Sequence, residues 1–235
     1  MTEIVVSEIF GPTIQGEGAL IGLPTVFVRT GGCDFICAWC DTLYAVDKKF
    51  KHHWKRMDAT AILQKVDELS GNKPLCITLS GGNPAIQPLG GMIELGRARG
   101  YTFALETQGS VSKDWFVHLD ALTLSPKPPS SLMSFSPEKL NACIEAAGSD
   151  TKITLKIVIS DEIDLDWAIA RHQSYPDIAM VLQPCNTMVG DNVIDLERLA
   201  EQMRWLVDEV NRRQLYKVRV LPQLHVQLWG NQRGV

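Results

Sequence analysis

Residues 25–42 read TVFVRTGGCDFICAWCDT, and the fold is decided in this stretch. Its first six residues are β-branched or aromatic apart from one arginine, the composition of a strand. Gly31 and Gly32 follow, and then Cys33, Cys37 and Cys40 fall within eight residues. A strand that runs directly into a loop bearing potential ligands is the start of a strand–loop–helix unit. In such units the working groups sit at the carboxyl end of the strand.

The same order recurs downstream. Apolar runs at 75–79, 102–106, 121–125, 153–159, 178–183 and 217–221 read as further strands. Between them, Asp58 can cap a helix that places Ile62, Leu63, Val66 and Leu69 on one face and ends at Gly71. Another helical pattern covers 92–99 and stops at Gly100. Pro137 can open a third, with Leu140, Cys143 and Ile144 inward, and two more cover 165–171 and 196–213. Alternation of this kind predicts an α/β fold with a mostly parallel sheet and right-handed crossovers. The nearly continuous apolar runs predict strands covered on both faces. Residues 1–235 read as one domain. Periodicity does not say whether the sheet closes.

Composition narrows the function. The chain has 235 residues, 45% of them hydrophobic and 21% charged, with a mean hydropathy of −0.01. Lys plus Arg (23) against Asp plus Glu (27) leaves a net charge of −4, the wrong sign for coating nucleic acid or an anionic membrane. No apolar run approaches the roughly 18–20 residues of a bilayer span. The N-terminal stretch lacks a basic flank followed by an apolar core, so a cytoplasmic location is expected. In a reducing compartment, three clustered cysteines point to a metal or cluster. Cys76 and Cys143, in apolar surroundings, read as buried small hydrophobes.

The strand ends supply the rest of a cavity: Arg29, Ser80-Gly81-Gly82-Asn83-Pro84, Glu106 to Gly109, Ser125-Pro126-Lys127, Gln183-Pro184, and Pro222 to His225. Soft thiolates select zinc or iron–sulfur clusters. Structural zinc closes with four protein ligands, and a usual 4Fe-4S cluster takes four cysteines. Here the nearby candidates for a fourth ligand are His52 and His53. Two readings stand: a zinc site using one His, or a cubane on three cysteines with one iron left open. The Thr42 hydroxyl suits a hard cation or a helix cap. Arg29, at the end of an apolar strand, suits a ligand carboxylate or an ion pair with Glu17 or Glu106. His225 reads as a proton donor or a core histidine, and Trp39 as a shield for the cluster.

The Cys-x3-Cys-x2-Cys array resembles the cluster loop of the radical S-adenosylmethionine superfamily. EIFGPTIQGEG (8–18), FVRTGGCDFICAWCDT (27–42), TLSGGNPA (78–85), ALETQG (104–109) and LSPKPPSS (124–131) resemble the 7-carboxy-7-deazaguanine synthase family. The tail LPQLHVQLWGNQRGV (221–235) is similar to its Gram-positive branch. This resemblance implies an incomplete, modified (β/α) barrel and a homodimer. It also implies a 4Fe-4S cluster on Cys33, Cys37 and Cys40, with S-adenosylmethionine chelating the open iron, and Mg²⁺ at Thr42. The electron would come from flavodoxin or a similar donor. The implied reaction is radical hydrogen abstraction at C6 of 6-carboxy-5,6,7,8-tetrahydropterin. Ring contraction and loss of ammonia then give 7-carboxy-7-deazaguanine, on the route to queuosine. Matching positions assign substrate contacts to Ile14, Gln15, Gly16, Arg29, Ser80 and Glu106. Cofactor contacts fall on Trp39, Gly82, Ser125, Pro126, Lys127, Gln183 and Asn186, and catalytic roles on the three cysteines, Glu106 and His225. Asn83 departs from the superfamily's usual Gly-Gly-Glu-Pro. The array is shared with activases that install a glycyl radical on a protein, a chemistry that gives Arg29, Glu106 and Thr42 no task.

Overall fold

The structure is a computed structural model describing residues 2–188 and 194–235. Strand β1 (Ile4–Ile14) runs antiparallel to β2 (Pro24–Thr30). After the cysteine loop and a one-turn helix α1 (Leu43–Val46), β3 (Lys55–Met57) returns to pair antiparallel with β1. Then come α2 (Ala59–Ser70), β4 (Cys76–Gly81), α3 (Gly90–Arg97), β5 (Thr102–Thr107) and β6 (Ala121–Leu124). The chain continues through α4 (Pro137–Ala147), β7 (Lys152–Ile159), α5 (Glu162–Ser174) and β8 (Ala179–Pro184). It ends with α6 (Leu196–Arg212), β9 (Val218–Val220) and α7 (Leu224–Trp229). Nine strands form one sheet in the order β3-β1-β2-β4-β5-β6-β7-β8-β9, parallel from β2 to β9. The two edge strands do not meet, so the sheet is an open, incomplete barrel.

The helices start where short polar side chains take up free N–H groups. Asp58 accepts from Ala61 N at 2.8 Å, Ser136 from Lys139 N at 3.3 Å, Asp161 from Asp164 N at 2.9 Å and Asp195 from Arg198 N at 3.0 Å. Gly71 ends α2 with φ of +62°, a conformation that costs glycine little.

Side-chain alternation along the parallel strands sorts two different surfaces. Val26, Val28, Ile77, Leu79, Phe103, Leu105, Leu122, Leu124, Leu155 and Ile157 are fully buried and join one core with Ile62, Leu63, Ile93, Leu140 and Leu165 of the helices. Burying such a side chain contributes about 1.5–3 kcal/mol, so this face holds the molecule together. The intervening residues, among them Arg29, Ser80, Glu106, Thr123, Thr154 and Lys156, point the other way. Register places Arg29 beside Ser80, Glu106 beside Thr123, and Thr123 beside Thr154. The expectation of apolar cover on both faces is therefore corrected: helices cover one face, and the other is polar and faces a cavity.

Strands β1 and β3 were not expected. Gly11-Pro12 interrupts the apolar alternation of β1 where its pairing shifts register, and β3 is a short, mostly polar edge. Helix α3 begins two residues before, and ends two residues before, the bounds read from sequence. Leu69 and Ile144, expected inside, are half-buried at the rim of the core; Cys76, also half-buried, shares the opposite face of β4 with Thr78, whereas Cys143 is fully buried. Among the described residues, no helix is long and apolar enough to cross a membrane.

Candidate active site

The cysteine loop is tied down on several sides. Gly31 N donates to Val5 O at 3.0 Å, Gly32 N to Ala45 O at 2.7 Å, and Ala38 N to Ser131 O at 3.0 Å. Asn83 N donates to Gly32 O at 2.9 Å, and a Cβ on Gly82 would collide with that same carbonyl. Gly82 is thus required for two backbones to touch. The Trp39 indole donates to Ser130 Oγ at 2.9 Å, and Ser130 Oγ donates to the fully buried Asp164 at 2.6 Å. Inside the loop, Asn83 Nδ2 and Gln108 Nε2 hold Asp34 at 2.8 and 2.6 Å. The side chain of Asn83 is wholly committed to this framework, since it also accepts from Thr107 Oγ1 at 2.7 Å and Ala85 N at 3.1 Å.

Cys33, Cys37 and Cys40 are free, half-buried and on the wall of one cavity. Cys33 Sγ accepts from Phe35 N at 3.4 Å and Gln108 Nε2 at 3.5 Å, contacts of the kind that cluster thiolates receive. Burial pushes all three thiols up, Cys37 to about 11, so binding a thiophilic metal must displace their protons. Among the described residues no three His, Cys, Asp or Glu side chains converge as ligands of a single ion. His52 and His53 are exposed and absent from the cavity wall. A cubane spreads its thiolates over separate corners instead of drawing them onto one atom. The donor set fits a cluster held by three cysteines and does not fit the four-ligand zinc site. Thr42 occupies the N-cap position of α1 without making a cap bond, and its hydroxyl lies 3.7 Å from Cys40 Sγ on the cavity wall.

The cavity, of about 210 Å³, is lined by Ile14, Gln15, Gly16, Arg29, Ser80, Gly82, Glu106, Ser125, Lys127 and His225 beside the cysteines. A second, of about 110 Å³, adjoins it and adds Gln183 and Asn186. Glu17, Trp39, Asp41, Ser125, Lys127 and Lys156 line both. Two buried polar atoms on these walls, Ser80 Oγ and Gln183 Oε1, have no hydrogen-bond partner. Orphaned groups of this kind are what a ligand satisfies. Arg29 Nε lies 2.8 Å from Glu8 Oε1 but is not aligned as a hydrogen bond, and its guanidinium rests against Phe10 and Tyr44. The ion pair expected with Glu17 or Glu106 is thus made with Glu8, on β1, which leaves guanidinium donors available to the cavity.

Glu17 and Glu106 instead share Lys156. Its ammonium contacts Glu17 and lies 3.6 Å from Glu106 Oε1, and Gln15 Nε2 reaches the same oxygen at 3.4 Å. Gln223 Nε2 donates to Glu17 Oε1 at 2.6 Å. Burial alone would raise the Glu17 carboxyl, but Lys156, with His225 beyond it, holds it at about 2. Burial likewise opposes the Lys156 ammonium, and Glu106 and Glu17 raise it above its ordinary value. Lys127 is pushed down by burial and donates to Ser125 Oγ at 3.0 Å.

Most residues singled out in the sequence converge here, with four adjustments. The Gln15 N–H and carbonyl are engaged by Leu23 and Gly22, and the Gly16 carbonyl by Leu224, so the Gln15 side chain faces the cavity in their place. Pro126 lines neither cavity. The Asn186 amide is occupied by Asn231 and Met188 N. His225 lies half-buried on the cavity wall and is no core histidine; a Cβ on Gly16 would run into its ring. Sequence reading missed Lys156, Asp41 and Phe10, while Gln108, expected at a strand end of the cavity, is found on its wall. Lys156 had a signal: it is a lone cation inside ITLKIVI (153–159). Trp54 was also missed; its ring packs on Gly31 and sets the root of the cysteine loop.

Comparison with known proteins agrees with this geometry. No protein-family model matches the chain. It is 44% identical over 239 residues to the 7-carboxy-7-deazaguanine synthase of Bacillus subtilis, covering 99% of this chain and 98% of that one. It is 40% identical over 240 residues to that of Bacillus cereus, with both chains fully covered. Among solved structures, QueE from Escherichia coli superposes with a TM-score of 0.68 at 21% identity over 95% of each chain. Streptococcus suis SuiB bound to S-adenosylmethionine gives 0.55 at 13% identity, over 83% of this chain and 48% of that one. These structural likenesses establish the fold, and the full-length identities establish the family. The chain belongs to the 7-carboxy-7-deazaguanine synthase family and carries it on an open α/β sheet shared with these solved structures.

Proposed function

We propose that the protein converts 6-carboxy-5,6,7,8-tetrahydropterin to 7-carboxy-7-deazaguanine and ammonia. The observation that carries this reading is the meeting of three free thiols, an arginine fork, an orphaned serine hydroxyl and a carboxylate on one cavity wall. The product is the substrate less one ammonia, so the reaction needs no net oxidant. When bound, a 4Fe-4S cluster and S-adenosylmethionine supply the radical chemistry that opens the reaction.

This chain's own residues would hold and orient. Cys33, Cys37 and Cys40 hold the cluster, and the Thr42 hydroxyl, free of a cap bond, serves Mg²⁺. Arg29 receives the pterin carboxylate through the guanidinium donors other than Nε, the atom that faces Glu8. Ser80 and the Gln15 side chain bond the ring, and Glu106 accepts from its amino-pyrimidinone edge. Trp39, Gly82, Ser125, Lys127 and Gln183 line the side of the cavity pair assigned to S-adenosylmethionine. His225, on the cavity wall, serves as the proton donor of this reading. A homodimer, a flavodoxin-type electron donor and a cytoplasmic setting complete the reading.

Anaerobic protein given dithionite, S-adenosylmethionine and the carboxytetrahydropterin is expected to form 7-carboxy-7-deazaguanine without net cofactor loss. Deoxyadenosine released without that product would defeat the substrate assignment and spare the radical chemistry. Iron and acid-labile sulfide are expected to fall to background in Cys37→Ala. One zinc and no sulfide in the native protein would sink both.

A further inference from the structure

Lys156 is the most deeply placed cation of the cavity, about 7% exposed, and no role has yet been given to it. It stands on β7 between the apolar Leu155 and Ile157, at a buried position where a charge is tolerated only when paired. Its partners are two carboxylates from separate segments, Glu17 in the loop after β1 and Glu106 at the end of β5. The remaining charged or titratable groups facing this pair are Asp41, Lys127, His225 and Arg29. Both Glu17 oxygens are taken, one by Gln223 and one by Lys156. On Glu106 the contacts fall on Oε1, and among the described residues none goes to Oε2. One carboxylate is thus saturated, and the other keeps an acceptor for a ligand.

Resting on the functional reading above, we propose that Lys156 is a positioning residue that sets specificity for the amino-pyrimidinone edge of the pterin. By bridging Glu17 and Glu106 it keeps both ionised, so that Glu106 Oε2 meets the ring's N–H donors as a pure acceptor. Two neighbouring carboxylates that lose their shared cation raise each other's affinity for a proton, so one of them is protonated more readily as pH falls. A carboxyl O–H set against a ring N–H puts donor against donor, and the hydrogen bond is lost.

The test is binding of 6-carboxypterin, followed by its fluorescence, to cluster-reconstituted wild type, Lys156→Met, Lys156→Gln and Lys156→Arg. Measurements run from about pH 5.5 to about pH 7.5, across the range in which a raised carboxyl titrates. Wild type is expected to bind with little change across this range. The Met and Gln variants should bind roughly 10- to 100-fold more weakly at the acid end and recover as pH rises, the loss of one charge-assisted hydrogen bond. Arg should restore the wild-type profile to within about threefold, since it is also a fixed cation. Using both Met and Gln keeps the test available if one fails to fold. Weakening that is equal at every pH, or absent, overturns the proposal while the function stands. A wild type that neither binds this pterin nor forms the deazaguanine overturns the functional reading itself.

Discussion

At the scale of single residues, the site depends on close approaches that tolerate no side chain. Gly82 lies against the Gly32 carbonyl, so Gly82→Ala forces backbone apart at the root of the cysteine loop. The expected cost is about 1–3 kcal/mol of stability together with a loss of iron after reconstitution, read by denaturant unfolding and iron assay. Iron content equal to wild type would show that the loop is held by other means. SGGNP was legible in sequence as a place where backbone meets ligand. That Gly82 meets another segment of the chain was not legible, because the partner carbonyl is 50 positions away. Separation along the chain also hid the real partner of Arg29: Glu8 faces it only because β1 pairs antiparallel with β2 in this register.

Among the elements, the helices on the apolar face serve the sheet and not the chemistry, whereas α7 brings His225 to the cavity. Asp58 accepts from Ala61 N at the start of α2, on the face of the sheet opposite the cavity. Asp58→Ala should therefore cost about 1 kcal/mol in urea unfolding and leave turnover per bound cluster unchanged. A fall in turnover would mean that α2 is coupled to the site. The capping residues, the Gly71 stop and the parallel strands were readable from local pattern. The polar inner face was not recognised, because Thr78, Ser80, Thr123 and Thr154 also suit strands and do not break an apolar run visibly. Strand β1 was hidden by Gly11-Pro12, which resemble a turn when the pairing strand is not in view.

For the whole molecule, the two ends of the chain close one site. Leu224 N donates to Gly16 O at 2.8 Å, and Asn231 binds Asn186 and the Met188 carbonyl. The Arg233 guanidinium lies over the Tyr44 ring at 3.5 Å, and its Nη2 is 3.5 Å from Glu8 Oε2. Residues 231–235 belong to no helix or strand, so removing them should leave the thermal midpoint within a few degrees while pterin affinity falls about tenfold or more. Unchanged affinity would show the tail to be a bystander. By itself the sequence determined the alternating fold class, the three-thiol loop and the strand ends that carry polar groups. Each of these is written in local spacing and residue chemistry, which survive without a partner. Only the tertiary structure decided that the sheet stays open, that Arg29 answers to Glu8, and that Lys156 joins two carboxylates. Those outcomes depend on register between distant strands and on which charges are buried together, and neither is a property of any short stretch of chain.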